Sequence, residues 1–102
     1  MTGPVPHPPW CDPSRCGVTA RQPAGTHCSS LVRLGPHPPS TIVAEVSLAQ
    51  GPTVPGYPRS GHPYVALALG DADSELLLTP LDIELARAVG RVLIGFAQEV
   101  AG

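Results

Sequence analysis

Proline restricts the folding of this chain more than any other residue type. All but one of the 14 prolines lie between residues 4 and 63, and the exception is Pro80. Proline lacks the backbone N–H that helices and sheets use, and it restricts the residue before it. We therefore predict one small domain over residues 1–102, with a proline-rich arm at residues 1–39 and the regular elements at residues 40–102. At this length the core is expected to be thin.

Alternation of apolar and polar side chains indicates strands in the second part of the chain. The segments are residues 40–49, 64–69 and 75–78, and residues 29–34 are a candidate for a further short strand. Segments rich in turn-forming residues separate them. The strands are therefore expected to pair in antiparallel fashion.

A helix is predicted from about Pro80 to Val100, because Thr79 is a good N-cap residue and proline suits the first helical position. At about 100° per residue, one face of this helix carries an apolar stripe that is expected to pack on the sheet. The stripe consists of Leu81, Leu85, Val89, Val92, Phe96 and Val100. The predicted fold class is α+β, with a small antiparallel sheet of three or four strands, one C-terminal helix and an N-terminal loop-rich segment.

The charge pattern argues against nucleic acid as a partner. The net charge is −2, and all six basic residues are arginines that are spread along the chain. Binding to a phosphate backbone needs a clustered positive surface. The sequence shows no signal peptide and no apolar run of about 20 residues, so we expect no membrane association and a cytoplasmic location.

The three cysteines all lie near the start of the chain, together with two of the four histidines. Cys thiolate and His imidazole are the ligands of structural zinc sites, which are closed tetrahedral shells. Short spacings let two ligands come from one turn, and adjacent residues rarely bind the same ion. We predict a Zn²⁺ site formed by His7, Cys11, Cys16 and His27, with Cys28 as a substitute if His7 does not bind.

The arm is predicted to depend on this metal for its order. Residues 1–28 contain few large apolar side chains, namely Val5, Trp10 and Val18. Burying each contributes about 1.5–3 kcal/mol, whereas ordering each residue costs about 1–2 kcal/mol. Structural Zn²⁺ binds with about 10–16 kcal/mol. The loop-rich segment is therefore predicted to be a zinc-binding element.

The cluster favours a zinc-stabilised, non-enzymatic accessory or protein-interaction module over an enzyme. Few acids or bases accompany it, and no residue is assigned a catalytic role. Two alternatives remain open. One is a thiol-based redox sensor in which Cys11 and Cys16 form a reversible disulfide. The other is a small metal-dependent hydrolase, which needs an open coordination position.

Two other surfaces are candidates for binding a protein partner. The loop at residues 51–63 is expected to expose three side chains for recognition: Tyr57, Arg59 and His62. On the predicted helix, Ile83 and Ile94 lie opposite the apolar stripe. That face is a candidate surface for a protein partner or for a homodimer.

Three sequence features are spaced along the chain: His7-Pro8-Pro9-Trp10-Cys11, the later His27, and Leu78-Thr79-Pro80. With these motifs the chain resembles a family of small actinobacterial proteins, whose pattern is C-P-x-W-C, an Asp-His pair, a further His, strands and a Leu-Thr-Pro helix start. His7 stands in place of the first Cys of the family motif, and Cys16 lies near the Asp-His position. Both exchanges keep a metal-ligating residue type, which favours a ligand role. The resemblance implies no activity.

Overall fold

The chain forms an antiparallel sheet that is followed by a C-terminal helix. The computed structural model describes residues 7–19, 21–22, 24–58 and 60–101. The predicted α+β class, with a small antiparallel sheet and one C-terminal helix, is confirmed. The elements are β1 (His27–Cys28), β2 (Val32–Leu34), β3 (Ile42–Gln50), β4 (Tyr64–Asp71), β5 (Leu77–Asp82) and α1 (Ile83–Ala101).

The longest strand, β3, organises the sheet. It pairs with β4 along one edge, and β4 pairs in turn with β5. The two shortest strands share the other edge, with β1 opposite the C-terminal end of β3 and β2 opposite its middle. The arm therefore joins the sheet at the end of β3.

The register gives the sheet two different faces, because directly opposed residues on neighbouring strands point to the same side. One face carries small and polar residues, including Arg33, Glu45, Ser47, Ala66 and Ala68. The other face, which we call the apolar sheet face, is apolar apart from Thr79 and from the polar residues of its end pairs, Ile42–Asp71 and His27–Gln50. Its apolar members are Ile42; Leu34, Ala44, Leu69 and Leu77; Val32, Val46 and Leu67; Leu48, Val65 and Leu81.

The predicted helix start at Pro80 is wrong. Thr79 and Pro80 lie within β5, which extends beyond the segment predicted as a strand. Among the described strands β5 pairs with β4 alone, and such an edge strand tolerates proline. The helix begins instead at Ile83. Asp82 is its N-cap, because its Oδ1 accepts the backbone N–H of Leu85 at 2.8 Å.

The apolar stripe of α1 does not pack on the sheet, contrary to the prediction. No residue of the helix is buried, and Leu85, Val92 and Phe96 are 48%, 55% and 66% exposed. The helix follows β5 without connecting residues, and among the described elements it contacts only β4 and β5. A helix that turns back over a sheet needs a connecting loop, typically of about 2–6 residues. In the described part of the chain, no helix combines the length and apolar character needed to cross a membrane.

The molecule is elongated, and its core contains only small side chains. The radius of gyration is 16.5 Å and the dimensions are 57 × 28 × 23 Å. A compact chain of this length is expected to have a radius of gyration of about 13 Å. Among the described residues, the buried apolar ones are Val18, Val43, Ala49, Ala66 and Ala68. In the part of the chain that the structure describes, every apolar side chain larger than valine therefore remains at least partly exposed to solvent.

Candidate metal centre

A tight turn places the first two candidate ligands side by side. The backbone N–H of Cys11 donates to the carbonyl oxygen of Pro8 at 3.0 Å and closes the turn that follows His7. Proline in this turn restricts the unfolded chain and so lowers the entropy that is lost on ordering. The Sγ of Cys11 lies 3.4 Å from Nδ1 of His7. One thiol and one imidazole are therefore presented together.

A second turn brings Cys16 back to this pair. Oδ1 of Asp12 accepts the backbone N–H and the hydroxyl of Ser14, at 3.0 and 2.7 Å. The carbonyl oxygen of Asp12 accepts the backbone N–H of Arg15 at 2.9 Å. This is an Asx turn, in which a side chain reproduces a backbone hydrogen bond. It leaves the Sγ of Cys16 3.6 Å from Nδ1 of His7.

The last candidate ligand comes from a segment that returns along Cys16. The backbone N–H of Gly17 donates to the carbonyl oxygen of Thr26 at 2.9 Å. Thr19 and Gln22 exchange two backbone hydrogen bonds, at 3.2 and 3.1 Å, and close the loop between the two segments. The chain then enters β1 with His27, which therefore lies beside Cys16.

Strand pairing separates His27 from its neighbour Cys28. His27 is opposite Gln50 of β3, and Cys28 is opposite Ala49. Successive side chains of a strand point to opposite faces, so only one of the two can face the cluster. The Sγ of Cys28 lies 3.9 Å from the carbonyl oxygen of Thr26, and Cys28 is not part of the group of potential ligands.

The structure brings His7, Cys11, Cys16 and His27 into one compact cluster, whose ligand atoms all lie within 4.8 Å of one another. The two Nδ1 atoms are 3.3 Å apart. The sulfur–nitrogen distances of Cys11 are 3.4 and 3.7 Å, and those of Cys16 are 3.6 and 3.3 Å. Both thiols therefore contact both imidazoles.

These distances fit the edges of a tetrahedral zinc shell. With Zn–N bonds of about 2.0–2.1 Å and Zn–S bonds of about 2.3 Å, a tetrahedron has N···N edges of about 3.3 Å and N···S edges of about 3.6 Å. Five of the six edges of the cluster differ from these values by about 0.3 Å or less. The sixth, between the two Sγ atoms, lies within 4.8 Å, compared with about 3.8 Å in a tetrahedron. The cluster can therefore hold a metal ion between two thiolates and two Nδ1 atoms.

The two thiols have different surroundings. Burial raises the pKa of the Cys11 thiol above its usual value of 9.0, and the neighbouring Cys16 adds to the increase. The Sγ of Cys16 accepts the backbone N–H of Val18 at 3.3 Å. Without a metal, Cys11 is held in the protonated form, which is the less reactive one.

Polar contacts fasten the arm to the start of the sheet. The backbone N–H of Asp12 donates to the carbonyl oxygen of Cys28 at 2.8 Å, and the hydroxyl of Ser30 donates to Oδ2 of Asp12 at 3.0 Å. The guanidinium of Arg15 donates to the backbone carbonyl of the residue after Cys28. Hydrogen bonds from Ser14 and Ser30 lower the pKa of Asp12 below its usual value of 3.8. Asp12 and Arg15 were not predicted as part of the site, although Asp-Pro is a turn-starting signal.

The loop at residues 51–63 surrounds a shallow pocket of about 540 Å³. Its shape is held by the hydroxyl of Ser60, which donates to the carbonyl oxygen of Tyr57 at 2.7 Å. Tyr57 and His62 are exposed, as predicted for a recognition loop, and Arg59 lies outside the described residues. The binding role of the three residues stays a prediction.

The predicted binding face of the helix, with Ile83 and Ile94, is exposed at one end and half-buried at the other. Ile83 is the first residue of α1 and is half-buried, whereas Ile94 is exposed in its second half. The two side chains are therefore not equally available to a partner, and their binding role also stays a prediction.

Comparison of the chain with protein-family models, curated proteins and solved structures finds no match.

Proposed function

We propose that the protein is a zinc-stabilised, non-enzymatic accessory or protein-interaction module of the cytoplasm. Structural Zn²⁺, bound by His7, Cys11, Cys16 and His27, ties the arm to the sheet. The observation that carries this proposal is the agreement between the five ligand-atom distances and a tetrahedral zinc shell.

The donor set supports zinc over other common ions. Two thiols and two imidazoles offer sulfur and nitrogen, whereas Mg²⁺ and Ca²⁺ require oxygen ligands. The three cysteines are free in the structure, which suits a reducing compartment such as the cytoplasm.

The closed shell supports a structural ion over a catalytic one. Four protein ligands complete a tetrahedron, whereas catalytic zinc keeps one position for water or substrate. The carboxylate of Asp12, next to Cys11 in sequence, is occupied by hydrogen bonds from Ser14 and Ser30. Asp12 is the only carboxylate in the described part of the arm, so the hydrolase alternative has no free carboxylate there.

The redox-sensor alternative accounts for less of the geometry. A disulfide between Cys11 and Cys16 gives no role to the two histidines, although each Nδ1 contacts both sulfur atoms. A metal ion explains all four side chains at once.

Cysteine variants test the proposal directly. Native mass spectrometry of protein purified without chelators is expected to show one zinc ion per chain. Cys11→Ser is expected to abolish stoichiometric zinc, because serine is a poor zinc ligand. Cys28→Ser is the matched control and is expected to keep one ion, since Cys28 is outside the cluster.

Two results would contradict the proposal: wild-type protein without metal, or equal zinc loss in both variants. Reversible oxidation of Cys11 and Cys16 in metal-free wild-type protein, followed by thiol alkylation, would support the redox sensor instead.

A further inference from the structure

The apolar sheet face is partly open to solvent in a single copy. Five side chains on this side of the sheet are 53–81% exposed: Val32, Leu34, Ile42, Leu69 and Leu77. An antiparallel sheet normally turns its apolar face to the core and its polar face to water. Here the face with Glu45 and Ser47 contains the buried alanines and Val43. The large side chains of the other face are half-buried along its middle rows and exposed at the five positions above.

The helix presents a second apolar surface of similar size. We define the helix stripe as five residues that are 48–91% exposed: Leu85, Val92, Leu93, Phe96 and Val100. A shallow depression of about 260 Å³ overlaps the stripe and is lined by Ala88, Val89, Val92 and Leu93. Its lining is apolar, and it is large enough to receive a side chain from another surface.

The chain cannot cover one of these surfaces with the other. The helix begins at Ile83 directly after β5, so it continues away from the strand and does not fold over the sheet. The 57 Å length of the molecule reflects this extension. An apolar sheet face and an apolar helix are nevertheless the two layers that form an α+β core when they pack together.

The uncovered area is sufficient for a stable interface. Full burial of an apolar side chain corresponds to about 60–120 Å² at about 25 cal/mol per Å². The ten side chains of the two surfaces therefore offer about 600 Å² of apolar surface per copy. A standard interface buries about 800 Å² per partner, of which about 60% is apolar.

We propose that two copies of this chain form a reciprocal dimer, in which the helix stripe of each copy lies on the apolar sheet face of the other. A two-fold axis makes both contacts at once, because each copy contributes the same two surfaces. A dimer through the helices alone would leave both sheet faces exposed. The reciprocal arrangement covers all four apolar surfaces with one kind of partner, and it is independent of the proposed zinc site.

Paired substitutions on opposite sides of the same element test the proposal. Phe96→Glu changes the helix stripe, and its control is Ile94→Glu on the other side of α1, where the side chain is similarly exposed at 59%. Leu77→Glu changes the apolar sheet face, and its control is Leu78→Glu, the next residue of β5, on the opposite face.

Sedimentation equilibrium of the zinc-loaded full chain is expected to give twice the chain mass of 10.5 kDa. Phe96→Glu and Leu77→Glu are each expected to raise the dimer dissociation constant at least about tenfold, because a charge enters an apolar contact twice. The controls Ile94→Glu and Leu78→Glu are expected to remain dimeric. Far-UV circular dichroism and thermal unfolding, measured on every variant, show that each one is folded.

Mixing the two disruptive variants sharpens the test. One copy with Phe96→Glu and one with Leu77→Glu retain a single intact helix-to-sheet contact, so the mixture is expected to form a heterodimer that neither variant forms alone. A monomeric wild-type protein would overturn the proposal. So would a dimer that Leu77→Glu leaves intact, which indicates contact through the helices alone, or dissociation by Ile94→Glu, which indicates the opposite helix face.

Discussion

At the scale of single residues, two short turns and one strand residue, His27, present the side chains of the metal cluster. The turns after His7 and Asp12 are short, so sequence spacing was enough to group His7, Cys11 and Cys16. The choice between His7 and Cys28 depended on the alternation of β1, because His27 and Cys28 point to opposite sides of the strand. A two-residue strand has no pattern of its own, so this alternation was not visible in the sequence.

Asp71 gives a residue-scale prediction for the effect of pH. Its carboxylate accepts the hydroxyl of Thr41 at 2.7 Å and the backbone N–H of Asp73 at 2.9 Å. These hydrogen bonds lower the pKa of Asp71 below its usual value of 3.8. Such a group stabilises the fold above its unfolded-state pKa, and the contribution disappears as the pH falls through the folded-state pKa.

Asp71→Asn is therefore expected to have a lower Tm than the wild type at neutral pH, with a difference that closes as the pH falls below 3.8. Thermal unfolding followed by circular dichroism measures both. Asp73→Asn is the control, because it keeps the backbone donor to Asp71 and is expected to unfold like the wild type. Acid removes any bound metal from each protein, so only the difference between variants is informative. A difference of constant size from neutral to acidic pH would contradict this account.

At the scale of elements, the start of α1 shows how strand pairing overrides a local signal. Thr79 and Pro80 form a favourable helix start when the segment is considered alone. In the structure both residues pair with β4, and the cap moves to Asp82, which is equally suited to that position. The existence of the helix and of the antiparallel strands was predictable from periodicity, whereas this boundary depended on a contact between strands.

The helix cap gives a prediction that distinguishes a helix start at Ile83, as in the structure, from the start at Pro80 that the sequence predicted. Asp82→Ala is expected to lower the free energy of unfolding by about 1 kcal/mol, because the N–H of Leu85 loses its partner. Thr79→Ala is expected to change it by less than about 0.5 kcal/mol, as at other exposed positions. Urea unfolding followed by far-UV circular dichroism measures both values. A larger effect from Thr79→Ala would return the helix start to the position predicted from sequence.

At the scale of the whole molecule, the fold consists of an arm, a sheet and a helix that share little core. Among the residues that the structure describes, the buried side chains are no larger than valine, so neither the described arm nor the helix is held by extensive packing. The sequence predicted that the arm needs a metal, since its apolar residues are few. The sequence did not predict that the apolar stripe of α1 is exposed. The same stripe is expected for a helix that packs on the sheet of its own chain and for one that packs on the sheet of another chain.

Metal removal gives a prediction at this scale. Chelation is expected to expose the amides of Gly17 and Asp12 to solvent exchange, because their hydrogen bonds to Thr26 and Cys28 hold the arm in place. Amides in the ladder between β3 and β4 are expected to stay protected and serve as the internal control. Hydrogen exchange with mass spectrometry measures both regions, and added zinc is expected to restore the arm. Unchanged protection of the arm after chelation would show that the metal does not order it.

The position of Pro80 has a consequence for how copies of this chain can associate. An exposed edge strand is a template on which another chain can extend a sheet, and this is a common route to aggregation. Pro80 lies in the middle of β5 and removes one donor from a strand that has a described partner on one side only. A ladder growing outward from β5 is interrupted at that residue, so edge-to-edge polymerisation is disfavoured. The same proline that obscured the start of the helix thus protects the free edge of the sheet, and association is directed to its face.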